Sequence, residues 1–336
     1  MKYTSLIWLL AFSVACSTVT EEYQEEKPVS LADSVAAYEK RVEAISLLGD
    51  TLYTMELPRE RRMKYDSALR VAQTNYDQDP QNLDNIIWLG RRLAYLGRYQ
   101  DAIEVYTRGL KVHPDAPELL RHRGHRYIST RQFDKAIADL ERSAVLIQSS
   151  PMEEEPNGIP IPLPEDDRPT TLQFNVFYHL GLAYYLNGEY GKAAQAYEKC
   201  LGVSQTDDEI AATADWLYMS YRRLGEDEVA EETLGMIKEE MDIRDNEGYF
   251  ERLLMYKGMM DPTQLLQVDE DVPLADRDLT MATEGYGVGN FYIINGKEAD
   301  GVKILEDIVE GRHWAAFGYI AAEADLARMK KENSQP

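Results

Sequence analysis

The chain is poor in cysteine and in positive charge. Only two of its 336 residues are cysteines, Cys16 and Cys200, so a disulfide framework is excluded. Its 36 Lys and Arg residues stand against 59 Asp and Glu residues, and the net charge is −23. Proteins that bind nucleic acid or anionic lipid surfaces present a basic face. The composition therefore predicts no nucleic-acid partner and no direct binding to anionic membranes.

A long hydrophobic run is missing as well. The apolar stretch at 3–15 has thirteen residues, whereas a membrane-spanning helix needs about 20. Its length is typical of a secretory signal peptide, which we expect over residues 1–15. The pair Ala15-Cys16 resembles the end of a lipobox, so Cys16 is the predicted lipidated residue. Ordinary signal cleavage is the alternative, because the residues before the cysteine are small.

The segment after Cys16 is polar and acidic. Residues 16–30 carry four glutamates, and we expect them to form a flexible tether. These features predict a lipoprotein of the cell envelope that faces the periplasm and meets the membrane only through its N-terminal lipid. A soluble periplasmic or secreted protein is the alternative location.

The rest of the chain can build a folded core. Apolar residues make up 44% of the sequence, which excludes a disordered chain. Ala68, Ala102 and Ala136 follow one another at a spacing of 34 residues, each within an apolar stretch of helical periodicity. Pro80 and Pro114 end the first two stretches. Such a period predicts a stack of similar helical units.

The best-defined unit has small residues at Gly90 and Ala102, where two helices would approach closely, and Tyr99 and Tyr106, which would fill the space between them. A break at Gly97 separates its two helical stretches. This pattern resembles the tetratricopeptide repeat, which implies an all-α solenoid of about six to seven antiparallel helix pairs. The strings WLGRRLAYLGRY, HRGHRY and WAAFGYIAAEA also resemble a group of secreted bacterial proteins with this repeat.

The resemblance covers about 49–331, within a helical repeat domain that we expect over 31–331, followed by a short tail at 332–336. The front pair would have its second helix at 62–76, and the amphipathic stretch 314–329 is expected to cap the stack. A proline-rich acidic insert at 149–171 reads as an exposed loop that either lies across the groove or extends into solvent. We expect repeats at about 49–82, 83–116, 117–150, 174–207, 211–244, 246–268 (degenerate) and 282–315.

The predicted first helices carry most of the functional signal. In this family the first helix of each pair lines the concave face, as the resemblance implies. The five windows 83–96, 117–130, 174–187, 211–224 and 282–295 hold seven arginines and four acidic residues, a net charge of +3, while the remaining residues carry −26. A basic, aromatic groove in an acidic body would focus its field on anionic ligands.

Side chains spaced three apart on these helices would project into the groove together. Arginine suits carboxylate or phosphate, and tryptophan and tyrosine supply rigid contact area. Packing between adjacent repeats is the competing interpretation for the same residues. The predicted ligand-binding residues are Trp88, Arg91, Arg121, His122, His125, Tyr178, His179, Trp216 and Arg222.

Other chemical motifs are weak. His122, His125 and His179 could hold a metal, but the flanking arginines would repel a dication, so no metal and no cofactor are expected. Arg123 occupies a slot where the family prefers leucine and needs a partner. Cys200 is expected to be a buried, inert thiol. The glycines of the stretch 285–289 indicate close helix packing or a helix start rather than a phosphate loop.

These features predict a non-catalytic scaffold that binds a protein or peptide with acidic or carboxylate groups. A lipoprotein that binds a glycan or small ligand is the alternative, because the groove is rich in tryptophan and tyrosine. An enzyme with a His-Arg centre is a third, weaker hypothesis, since repeat surfaces serve mainly as extended binding faces.

Overall fold

The computed structural model of the protein describes residues 40–156, 169–267 and 274–334, which belong to one compact unit spanning Glu39–Pro336. The predicted signal peptide, Cys16 and the tether lie outside the described residues. Within these ranges, no helix combines the length and the apolar character that a membrane crossing needs.

The described part is an all-α solenoid of antiparallel helix pairs. A leading helix, α1 (Arg59–Gln78), precedes the pairs, and a last helix, α15 (Phe317–Glu332), follows them. In the final pair, α12 (Leu274–Thr280) runs through a π-helical turn (Met281–Gly285) into α13. The pairs are α2 (Leu83–Tyr95) with α3 (Tyr99–Val112), α4 (Pro117–Ser129) with α5 (Phe133–Leu146), α6 (Leu172–Leu186) with α7 (Tyr190–Leu201), α8 (Asp207–Leu224) with α9 (Asp227–Leu234), α10 (Glu247–Tyr256) with α11 (Pro262–Leu265), and α13 (Tyr286–Ile294) with α14 (Glu298–Val309).

Small residues allow the two helices of a pair to touch. A methyl group placed on Gly90 would overlap the ring of Tyr106, which is 1% exposed. Gly181 and Tyr197 repeat the same contact in the α6–α7 pair. The predicted packing of Gly90 against the second helix is therefore confirmed. Asp261 also caps the short helix α11 with its side chain, as its position before Pro262 predicts.

The glycines of the stretch 285–289 serve the same purpose. A side chain on Gly287 would overlap the Arg252 side chain, and one on Gly289 would lie 2.9 Å from Leu305. The stretch runs through the π-helical turn into α13 and contains no loop. The interpretation as close helix packing is confirmed.

The front of the solenoid differs from the predicted first repeat. Where a helix was expected after residue 49, the chain forms an antiparallel hairpin of β1 (Val42–Ile45) and β2 (Thr51–Tyr53). Gly49 has φ of +100° in the connecting turn, a conformation that favours glycine. The Ser46 hydroxyl accepts the backbone N–H of Asp50 at 2.9 Å. The repeat predicted at 49–82 therefore contributes a hairpin and α1.

Residues with left-handed backbone conformation connect the two helices of a pair. Gly97, Gly188, Gly225 and Gly296 occupy these turns with φ between 72° and 80°. The corresponding turn between α4 and α5 holds Arg131 at φ 62°, which is the sole described non-glycine residue with a positive φ. Such a backbone costs about 1 kcal/mol or more for a residue with a side chain, so the arginine must be held there by its contacts.

The last helix is enclosed more deeply than an amphipathic cap would be. Eight consecutive residues of α15, from Gly318 to Asp325, are buried, so solvent reaches no side of the helix in this part. A methyl group on Gly318 would overlap the carbonyl oxygen of Ala282. A capping helix keeps a polar outer face, whereas α15 is enclosed by the repeats. Its polar positions Glu323 and Asp325 can be buried because Arg131, in the turn after α4, and Arg223, in α8, neutralise them.

Candidate functional site

The inner face, meaning the side formed by the first helices of the pairs, has two different halves. In α2 the buried residues follow one stripe, Ile86, Leu89, Gly90 and Leu93, and the opposite stripe remains accessible. In α6 every residue except Phe177 is buried. The inner face is therefore open at α2 and filled at α6.

Trp88 and Arg91 occupy the open half. The side chain of Asn82 caps α2 by accepting the backbone N–H of Asn85 at 3.0 Å, which sets the start of the helix. One turn further, the Arg91 guanidinium lies 4.6 Å from the centre of the Trp88 ring. Both side chains are half-buried. Among the described residues, Arg91 has no carboxylate within ion-pair distance.

Helix α4 adds the remaining predicted basic residues. Arg121 Nη1 donates to His122 Nδ1 at 2.8 Å, and Arg121 Nη2 lies 3.2 Å from Glu155 Oε1. His122 Nε2 is 3.7 Å from the same oxygen, and its ring stacks on Tyr106 at 5.7 Å. Burial and the charges of Arg121, Arg91 and Arg126 hold the pKa of His122 well below its ordinary value. His122 is thus a neutral ring among arginines.

Arg126 belongs to this site although the sequence did not single it out as a contact residue. Its guanidinium lies 5.1 Å from the centre of the Tyr99 ring, and no described carboxylate pairs with it. Burial and, more weakly, Arg91 lower its pKa. The sequence contains no acidic residue between Leu119 and Phe133, and this could have indicated that Arg126 lacks a local ion-pair partner. We call Arg91, Arg121 and Arg126 the arginine cluster.

His125, His179 and Tyr178 are brought together, but against the chain itself. The His125 and His179 rings are 4.2 Å apart, and Phe317 at the start of α15 lies 5.4 Å from His125 and 6.4 Å from Tyr178. His179 Nδ1–H donates to the Asn175 carbonyl at 2.6 Å. Tyr178 and His179 are buried. These two side chains therefore do not line an open groove.

The structure also corrects the positions of Trp216 and Arg222. Trp216 is 0% exposed, because Tyr249 of α10 and Tyr286 of α13 cover its ring. Its Nε1–H donates to the Tyr178 hydroxyl at 3.0 Å. Arg222 pairs with Asp227 at 2.8 Å. Trp216 is therefore satisfied inside the fold, whereas Arg222 is half-buried and already bonded to Tyr218, Asn295 and Asp227.

The filled half neutralises its arginines with acids from distant parts of the chain. Arg131 Nη2 donates to Glu323 at 2.6 Å and to the Trp314 carbonyl at 2.7 Å. Arg223 Nη2 donates to Asp325 at 2.6 Å. The sequence did not predict these pairs, since the partners lie far apart along the chain.

Two further arginines, Arg252 and Arg123, pair with carboxylates that lie outside α15. Arg252 and Asp215 are fully buried, with 2.8 Å between Arg252 Nη2 and Asp215 Oδ2. Arg123, whose partner the sequence left unnamed, donates to Asp139 at 2.7 and 2.8 Å and to Thr107 at 3.1 Å. A buried arginine without a carboxylate is costly, so these pairs explain why charged residues occupy packed positions.

Metal-binding and thiol chemistry have little support at this site. Within the described ranges, no three His, Cys, Asp or Glu side chains are placed to hold a metal ion. His122 stacks on Tyr106, whereas His125 and His179 pack on Phe317. Cys200 is buried beside Thr213, and burial raises the pKa of its thiol to about 12. A thiol in that state is unreactive.

The fold and its accessible inner face define a helical-repeat scaffold, a class of protein that presents extended binding surfaces. Residues 89–151 and 174–207 each match a family model described as tetratricopeptide repeat. These two ranges therefore carry tetratricopeptide repeats. Proteins with this repeat typically bind other proteins and are generally not enzymes.

Similar proteins occur among curated sequences and solved structures. The BBSome complex member BBS4 of Bos taurus is 27% identical over 156 residues, and that of Mus musculus is 26% identical over 156 residues. Each match covers 45% of this chain and 25% of the relative, so the chain spans about a quarter of their length. A crystal structure of MamA is 21% identical, with a TM-score of 0.40 over 61% of this chain and 96% of that one. MamA 41-end from Desulfovibrio magneticus RS-1 is 19% identical, with a TM-score of 0.40 over 60% and 90%.

Proposed function

We propose that the protein is a non-catalytic scaffold of the bacterial cell envelope that binds a protein partner on the open half of its inner face. This open inner face consists of the accessible sides of α2 and α4, with Trp88, Arg91 and Arg126. The partner would contact the tryptophan with apolar or aromatic groups and the arginines with acidic ones.

One observation carries the proposal. The half-buried Trp88 ring stacks with an arginine that has no carboxylate partner among the described residues. Tryptophan and arginine are the residues in which binding energy concentrates at protein interfaces. In the filled half, by contrast, the corresponding aromatic Trp216 is already enclosed by the chain.

The charge of the protein supports an acidic partner segment. The body carries a net charge of −23, so an anionic segment is repelled from most of its surface. The arginine cluster offers a local positive region where that repulsion reverses, and such local fields raise association rates. We therefore expect binding to weaken at high ionic strength.

The cell-envelope location is part of the proposal and rests on the sequence. A signal-like apolar segment ends at Ala15, directly before Cys16, and acylation of that cysteine would anchor the scaffold to a membrane with its binding face towards the periplasm. Metabolic labelling with a clickable fatty acid tests this. Label on the wild type that is lost in Cys16→Ser is expected, and equal labelling of both would contradict lipidation at this residue.

The rival functions have less support. A glycan site would need accessible aromatic rings, but Tyr178 and Trp216 are 7% and 0% exposed. A His-Arg reaction centre would need a substrate to reach the histidines, and His122 and His179 are also buried. Protein binding through the half-buried Trp88 and Arg91 does not depend on access to Tyr178, Trp216 or the histidines.

Site-specific photocrosslinking tests the proposed surface. A p-benzoylphenylalanine replaces Trp88 in one variant and Val145, which is 70% exposed on the second helix α5, in a matched control. We expect a discrete crosslinked partner from position 88 in intact cells, lost when Arg91→Ala is added, and none from position 145. Equal products from both positions would contradict the proposal.

A further inference from the structure

The arginine cluster contains more positive charge than the described residues around it neutralise. Within the described ranges, Arg121 is the one member of the cluster that contacts a carboxylate, that of Glu155, at 3.2 Å. Burial lowers the pKa of Arg121, Glu155 partly opposes this effect, and the charges of Arg91 and Arg126 lower the pKa further. The Nε atom of Arg121 is buried and has no hydrogen-bond partner. The cluster can therefore donate hydrogen bonds to at least one additional acceptor group.

Glu155 is held in this cluster by few contacts. Its Oε1 faces Arg121 Nη2 at 3.2 Å and His122 Nε2 at 3.7 Å, while Oε2 accepts from Asn175 Nδ2 at 3.3 Å. All three distances are longer than those of a strong charge-assisted bond, about 2.7–2.9 Å. The side chain is 10% exposed. The fold thus places a carboxylate beside the arginines without binding it tightly.

The segment that carries Glu155 is itself lightly attached. Glu155 lies in β3 (Glu154–Glu155), which pairs with β4 (Thr170–Thr171) over two residues on each strand. Beyond this ladder, Gln173 donates to the Pro151 carbonyl at 2.7 Å and accepts the Glu153 backbone N–H at 3.1 Å, and the Leu172 N–H donates to the Glu153 carbonyl at 2.8 Å. By comparison, Glu323 receives two donors of Arg131 and the backbone N–H of Leu47 at 2.5 Å. Withdrawing Glu155 therefore disturbs much less structure than withdrawing Glu323.

We propose that the arginine cluster is a carboxylate-binding subsite of the open inner face and that Glu155 occupies it as an internal stand-in for an acidic side chain of the partner. The proposal depends on the proposed function and adds to it the class of the recognised group and the means by which the site is blocked. Binding requires Glu155 to leave Arg121, so the partner's affinity is reduced by the fraction of molecules in which Glu155 is bound.

The chain offers a matched pair of variants for the test. Glu155→Gln removes the carboxylate that contacts Arg121, and Glu154→Gln removes the same charge from the neighbouring exposed position of β3. The probe is a fluorescein-labelled oligoglutamate peptide, and its binding to the purified full chain is measured by fluorescence anisotropy. Thermal unfolding of each variant checks that the fold is retained.

Glu155→Gln should bind the peptide about tenfold more tightly than the wild type, as expected if Glu155 occupies the site in about nine of ten molecules. Glu154→Gln should stay within about twofold, an effect of net charge alone. The gain should disappear when Arg126→Ala is added to Glu155→Gln.

Equal gains from both glutamine variants, or a gain that survives Arg126→Ala, would overturn the inference. No binding by any variant, together with a specific crosslink from position 88, would overturn the inference and leave the proposed function standing. Absence of both the peptide binding and the crosslink would overturn the proposed function as well.

Discussion

The two halves of the inner face contain similar residues and treat them in opposite ways. Around α2 and α4, Arg91 and Arg126 rest on aromatic rings and have no carboxylate partner among the described residues. Around α8 and the turn after α4, Arg223 and Arg131 are bonded to carboxylates of α15. Arginine with an aromatic neighbour is therefore not by itself a sign of a ligand site. What distinguishes the two halves is whether a described carboxylate of the chain pairs with the arginine.

Helix α15 accounts for much of the difference, and α10 and α13 add the rings that cover Trp216. Where α15 covers the inner face, it brings Glu323, Asp325 and the ring of Phe317 to the side chains that a partner would otherwise contact. Where α15 does not reach, the same kinds of side chain remain available. The filled half has thus become core, and we assign recognition to the open half.

Breaking the filled half at Glu323 is expected to have the largest effect. Glu323→Ala leaves Arg131, whose side chain is 2% exposed, buried without its carboxylate. We expect the free energy of unfolding to fall by about 3–5 kcal/mol, measured by urea denaturation. Glu332→Ala, at an exposed position of the same helix, should change it by less than about 0.5 kcal/mol. Similar losses in both variants would show that α15 is only loosely attached.

Gly318→Ala tests how closely α15 is enclosed. The added methyl group overlaps the backbone carbonyl of Ala282, and a backbone atom cannot rotate away as a side chain does. We expect a loss of about 1–3 kcal/mol in the free energy of unfolding. Gly191→Ala in α7 is the control, since nothing lies within 4 Å of its added methyl, and it should be neutral or stabilising by up to about 1 kcal/mol. A neutral Gly318→Ala would mean that α15 sits further from the repeats.

Acid should weaken the contact between α15 and the histidines. Burial and then the charge of Arg121 hold the pKa of His179 well below its ordinary value. Below about pH 6.5 the unfolded chain takes up a proton that the folded chain refuses, so stability falls as the pH falls.

His179→Gln removes that dependence, while the other titrating groups cancel between the two proteins. Urea unfolding should therefore show the wild type losing up to about 1.4 kcal/mol per pH unit relative to the variant below about pH 6.5. Parallel pH profiles would mean that His179 is protonated equally in both states.

Arg126→Ala should have the smallest effect on stability and sharpens the distinction between the halves. No described carboxylate loses its partner, so we expect less than about 1 kcal/mol, mainly from lost packing on Tyr99. Arg223→Ala leaves Asp325, 1% exposed, with Arg328 as its remaining arginine, and it should cost more than Arg126→Ala in the same urea assay. The reverse order would place the structurally important charge in the open half.

The sequence predicts what is local in this fold. The 34-residue spacing of Ala68, Ala102 and Ala136 identifies helix pairs because each pair packs within itself, through contacts such as Gly90 with Tyr106. The basic character of the first helices is likewise a property of short windows. Both features depend on residues close together in the chain, and periodicity is sufficient to detect them.

The rest of the site depends on distant residues. Arg131 and Glu323 are separated by 192 positions, and no spacing rule connects them. Trp216 occupies a slot that faces the groove in an isolated repeat, but Tyr249 and Tyr286 of later helices cover it. The alanines around Glu323 and Asp325 in α15 could have indicated a buried helix, because an amphipathic cap would have a continuous polar stripe.

The junction between the hairpin and α15 has a consequence for synthesis. Glu323 accepts the Leu47 backbone N–H, and Trp314 Nε1–H donates to the Tyr53 carbonyl at 2.8 Å. Translation at about 5–20 residues per second separates the appearance of Arg131 from that of Glu323 by roughly 10–40 s. During this interval the repeats lack the carboxylate of Arg131, and the apolar surface that later packs against α15 is uncovered. A chaperone acting on the growing chain would find its substrate in that interval.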